Sequence, residues 1–110
     1  MNDEMEISRY TYHCFSSRDR DDVTLFLYDK ASNVVGQVLA VPDGEPLPPA
    51  ERRDGRVLLY FRRAAIPQIV DLLRNEGPVY LHWETGRDAA LATGYEPVGE
   101  GAVTSRAEAR

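Results

Sequence analysis

The chain has 110 residues, 43% of them hydrophobic and 28% charged, with a formal net charge of −5. That length supports one domain around one core and leaves little room for a deep enclosed pocket. No run approaches the ~20 apolar residues that span a bilayer, and the acidic balance argues against a protein that coats nucleic acid through its overall field.

The N-terminal stretch MNDEMEISR is acidic and polar, without the basic start and apolar run of a secretory signal. Residues 1–7 are expected to be disordered. The single cysteine, Cys14, has no intrachain partner, so a reducing cytoplasm is the expected compartment. The run SRYTYHCFS from Ser8 reads as a first strand, with Tyr10, Tyr12 and Cys14 on one face and Thr11, His13 and Phe15 on the other. After the polar run SSRDRDD, DVTLFLY over 22–28 alternates as a second strand. The five residues DKASN fit a hairpin loop, and VVGQVLAV over 34–41 is a third strand with Gly36 as a candidate bulge.

PDGEPLPPAERRDG follows, and its four prolines and two glycines predict a long irregular loop. RVLLYFR over 56–62 is apolar on both faces, so it is expected to be central in a sheet or to have its second face covered by a partner. Ile66, Ile69, Val70 and Leu73 share one helical stripe, with Pro67 suited to the first turn. The spacing predicts a helix over about 65–76, closed by Gly77 as a left-handed cap and by Pro78, with Asp71 and Arg74 as an intrahelical pair. VYLHWE over 79–84 and AALATG after the turn ETGRD form a closing hairpin. From Glu100 onward the chain loses its period, and residues 100–110 are expected to be a disordered tail.

The expected architecture is α+β: one domain over 8–99, with an antiparallel sheet of about six strands and one helix on one face, in the order β-β-β-β-α-β-β. One short helix leaves much of such a sheet bare. Phe26, Tyr28 and Tyr80 would then form an apolar patch, and such patches mark interfaces. The leading functional expectation is therefore a homo-oligomeric interaction or scaffold domain, dimerising through the sheet or its edge strand.

Strand-strand-strand-strand-helix, from about Arg9 to Glu76, resembles the repeat unit of the PUR, Whirly and PC4-type single-stranded nucleic-acid-binding folds. That resemblance implies a curved sheet presenting basic and aromatic residues to a nucleic-acid strand. The ending VYLHWETGRDAALATGYEPVGEG is similar to that of a small uncharacterised bacterial family, a likeness that implies no activity.

The arginines give the nucleic-acid alternative its candidate residues. Arg52, Arg53, Arg56, Arg62 and Arg63 stand against Glu51 and Asp54, so 50–63 is a basic segment in an acidic chain. With Tyr60 between them they could hold phosphates while a ring stacks on a base. The competing reading is a solvated loop whose arginines pair with nearby acids. Tyr80, His82 and Glu84 share one face of their strand as a candidate polar site, where a carboxylate could orient an imidazole. Trp83 points the other way, with Val79 and Leu81, and is expected to pack as core beneath the helix. Cys14 and His13 face opposite sides of one strand and cannot form a dyad there. No metal-ligand spacing, phosphate loop or cofactor motif occurs, so the expectation is no enzyme, no metal and no cofactor.

Overall fold

The computed structural model describes residues 2–17, 22–84 and 89–94. Among them the chain forms β1 (Asn2–Ile7), β2 (Arg9–Cys14), β3 (Val23–Tyr28), β4 (Val34–Val41), β5 (Glu51–Arg53) and β6 (Arg56–Arg62), then helix α1 (Ile66–Asn75), β7 (Val79–Glu84) and β8 (Ala89–Thr93). The class is α+β, as the patterning implies. The single six-stranded sheet is not found. Eight strands form two sheets, one ordered β2-β3-β4-β6-β5 and one ordered β1-β7-β8.

Local chemistry sets the connections of the larger sheet. The Asp29 carboxylate accepts the backbone N–H groups of Ala31 and Asn33, both at 2.9 Å, and so closes the β3–β4 turn. Tyr28 pairs with Val34 and Leu27 with Gly36, so the extra residue of the bulge is Val35, one place before the glycine expected there. The proline-rich connection contains a strand that its composition hid. Asp54 and Gly55 both have positive φ, 55° and 80°, the geometry of a two-residue hairpin turn. That turn pairs Glu51–Arg53 antiparallel to β6, and β6 itself returns parallel to β4. The expected all-antiparallel meander therefore contains one parallel pair. β6 is an interior strand, bonded to β4 on one side and to the short edge strand β5 on the other.

The second correction concerns the N-terminus. Residues 2–7 are a strand, paired antiparallel with β7 from Asn2–Glu84 to Ile7–Val79. Only Ser8 separates β1 in one sheet from β2 in the other. Its N–H donates to the Tyr28 carbonyl at 2.8 Å, although Tyr28 stands opposite Arg9 in the register, and this irregularity marks where the chain changes sheet. The expected tail at 100–110 lies outside the described residues.

The two sheets face one another. Leu25, Leu27, Val38, Ala40, Val57 and Leu59 of the larger sheet meet Ile7 and Leu81 of the smaller, and Ile66 of the helix completes the buried cluster. Gly36 faces the smaller sheet at close range: a Cβ there would stand 2.6 Å from Leu81 Cδ1 and 3.1 Å from Leu27 Cδ1. Val70 and Leu73 bring the helical stripe onto the same core.

The helix is one residue shorter at each end than the spacing predicts, and a 3-10 turn over Arg63–Ala65 leads into it. Glu76 ends it in an extended conformation, φ −109° and ψ 151°, so the left-handed glycine cap expected at Gly77 does not form. Asp71 accepts from Asn75 Nδ2 at 2.7 Å instead of pairing with Arg74. The cover missing from a one-helix, one-sheet arrangement is thus supplied by a second sheet.

Candidate interaction site

The larger sheet has an outer face turned away from the core. The register places Arg9, Thr11 and His13 of β2 beside Tyr28, Phe26 and Thr24 of β3, with Gln37 and Leu39 of β4, Leu58 and Tyr60 of β6, and Glu51 of β5 completing the rows. The apolar patch expected here is not bare. Phe26, Tyr28 and Tyr60 are half-buried, and Leu58 beneath them is only 5% exposed. Tyr80 is likewise half-buried.

The six residues proposed from sequence as a nucleic-acid contact do not converge. Strand alternation divides them. Arg52 opposes Val57 on the inner side, and its guanidinium lies 5.1 Å from the centre of the Trp83 ring. Arg53 bonds Glu51 at 2.7 Å, and the Tyr60 hydroxyl donates to the same carboxylate at 3.3 Å. Arg56 reaches over Phe26 at 6.0 Å. Arg62 donates to the Glu45 carbonyl, and Arg63 bonds Asp22 at 2.9 Å. Only Arg53, Arg56 and Tyr60 share a surface, a shallow depression of about 290 Å³ with Gln37, Leu39, Asp54 and Leu58.

The residues of the candidate polar site on β7, Tyr80, His82 and Glu84, lie along one strand. Tyr80 and His82 stand together with ring centres 6.4 Å apart. A carboxylate oxygen of Glu4 on β1 lies 3.4 Å from His82 Nε2. Glu4 is directly across the ladder, whereas Glu84 is two residues along the same strand. Sequence reasoning left Glu4 out because it gave residues 1–7 no structure. The strands of Cys14 and His82, β2 and β7, are not neighbours in either sheet, so strand pairing does not bring the two side chains together. Among the described residues no three His, Cys, Asp or Glu side chains converge on a metal position, and no helix is long and apolar enough to cross a membrane.

Trp83 joins the rim of the core, at the end of β7 remote from Val79, where Leu73 of the helix packs. It therefore packs between the sheets and under Arg52, not beneath the helix. Its indole N–H is buried without a partner among the described residues.

The most available surface is an edge. β2 ends the larger sheet, bonded only to β3 among the described strands, and all its residues but Tyr10 are exposed. Phe15 N–H donates to the Asp22 carbonyl at 2.7 Å, in register with the β2–β3 ladder. Alternate residues of an antiparallel strand turn both backbone groups to the same side. Arg9, Thr11 and His13 therefore address β3, and Tyr10, Tyr12 and Cys14 turn their N–H and C=O groups outward. Tyr12 is 50% exposed, and only Leu47, at 43%, is another large apolar side chain left this open among the described residues. Cys14 raises the pKa of the Tyr12 phenol, chiefly through a side-chain hydrogen bond.

The edges at β1 and β5 carry blocking devices that β2 lacks. β1 presents exposed Glu4 and Glu6. β5 is three residues long, all charged. Charge and shortness are usual protections of a sheet edge. At the remaining edge, a groove of about 580 Å³ lies between β8 and Ile69 and Leu72 of the helix. RYTYHC has one charge, no proline and strong strand formers.

Comparison of the chain with protein-family models, with curated proteins and with solved structures found no match in any of the three.

Proposed function

We propose that this protein is a small self-associating interaction domain that joins chains by strand addition at β2. The open edge carries this reading: Tyr10, Tyr12 and Cys14, alternate residues of β2, turn outward backbone groups that no other described strand pairs, and Tyr12 is itself exposed. Light scattering should give a mass twice the 12.4 kDa of the chain. Tyr12→Pro removes an outward N–H and leaves the β3 ladder intact, so it should yield a folded monomer with a nearly unchanged melting temperature. A wild-type mass of 12.4 kDa across the whole concentration range would sink the reading.

A second reading has its own support. On the outer face His13 stacks on Phe15 at 6.1 Å and meets Phe26 edge-on at 5.4 Å, with Arg56 above Phe26. Rings with arginines beside them suit the bases and phosphates of a single strand. Titration of labelled oligodeoxythymidylate tests it: binding should weaken steeply with salt and fall with Arg56→Ala. No binding at low salt removes it.

A further inference from the structure

Resting on the strand-addition reading, we propose that β2 takes as its partner β2 of a second copy, antiparallel and in one register, with Tyr12 opposite Tyr12 at the two-fold axis. Two conditions select it. Residues facing each other across an antiparallel pair lie on the same face. Tyr10, Tyr12 and Cys14 belong to the inner face, and Arg9, Thr11 and His13 to the outer. A two-fold pairing must therefore set inner against inner, which leaves registers centred on a single residue.

The second condition is backbone satisfaction. Only Tyr10, Tyr12 and Cys14 offer outward N–H and C=O groups. Centring on Tyr12 places Tyr10 against Cys14 of the second copy, and Cys14 against its Tyr10, so every outward group of both strands is bonded, in about six hydrogen bonds. Centring on Thr11 sets Cys14 against Ser8, whose N–H already serves the Tyr28 carbonyl. Centring on His13 leaves Tyr10 beyond the paired region.

Side chains agree with the Tyr12 register. Arg9 opposes Phe15 rather than another cation, Thr11 opposes His13, and the two exposed Tyr12 rings cover each other. The product is one continuous sheet made from both larger sheets.

Single-cysteine chains read the register directly, each carrying Cys14→Ser. Thr11 and His13 are exposed, so their replacement leaves the core intact. A facing pair has Cα atoms about 4.5–5.5 Å apart, within disulfide reach, whereas residues offset by two positions are about 8 Å apart and outside it. Under mild oxidation, Thr11→Cys chains mixed with His13→Cys chains should give a covalent dimer that neither gives alone. Tyr12→Cys chains should cross-link to themselves.

Self-linking of Thr11→Cys, or of His13→Cys, would replace this register with the one centred on that residue. A dimer by light scattering with no cross-link in any of these chains would overturn β2 pairing while self-association stood. A monomer by light scattering would remove both.

Discussion

At Gly36 a missing side chain decides how closely two sheets approach. Leu81 is fully buried, and its terminal methyl occupies the space a Cβ would need. Gly36→Val should therefore destabilise the domain by about 1–3 kcal/mol, because the buried Leu81 and Leu27 side chains must move to admit it. Urea unfolding monitored by Trp83 fluorescence measures this. Combining Gly36→Val with Leu81→Ala should recover part of the loss, a coupling that distant sites do not show. An unchanged midpoint in the single variant would mean that the sheets are farther apart here. Trp83 shows the complementary compromise: its ring joins the core and stacks under Arg52, while its N–H is buried without a partner among the described residues.

Among the elements, β5 exists because of its turn. Asp54 and Gly55 both adopt left-handed backbone, which a side chain at Gly55 would oppose by about 1–2 kcal/mol. Gly55→Val should lower stability by roughly that amount and release Glu51–Arg53 from β6, seen as faster amide exchange at Arg52 and Arg53. Slow exchange there in the variant would show that the ladder, not the turn, holds β5. This turn was legible as Asp-Gly, yet three charged residues after four prolines concealed the strand beside it. The strands with apolar alternation were readable nearly to the residue: β3, β4, β6 and β7 fall where their patterns place them. β1 was missed for a related reason. Glu4, Met5, Glu6 and Ile7 alternate correctly, but acidic residues are poor strand formers and masked the period. Pairing was not legible, because alternation specifies a face and not a neighbour. The same limit applies to the site. Five arginines close in sequence look like one patch, and strand alternation sends Arg52 inward and Arg53 outward. The edge character of β2 depends on where every other strand goes, and no local signal carries that.

For the molecule as a whole, closure depends on the N-terminal strand. Ile7 is part of the buried cluster, and β1 covers one edge of β7. Deleting residues 2–7 should therefore remove cooperative thermal unfolding, since Leu81 and Val79 lose cover and β7 loses a ladder. A truncated chain that melts like the full one would make β1 dispensable. The charges of the two outer faces also differ: Glu4, Glu6 and Glu84 lie on the smaller sheet, and Arg9, Arg53 and Arg56 on the larger. Finally, β1 is synthesised about seventy residues before β7, the only described strand it bonds, so an early segment must stay unsatisfied until β7 has been made. Meanwhile β2, β3 and β4 can already zip together behind it. A nascent chain stalled after β6 would carry Met5 and Ile7 uncovered, which makes the interval before β7 emerges the moment of greatest exposure to holdase chaperones.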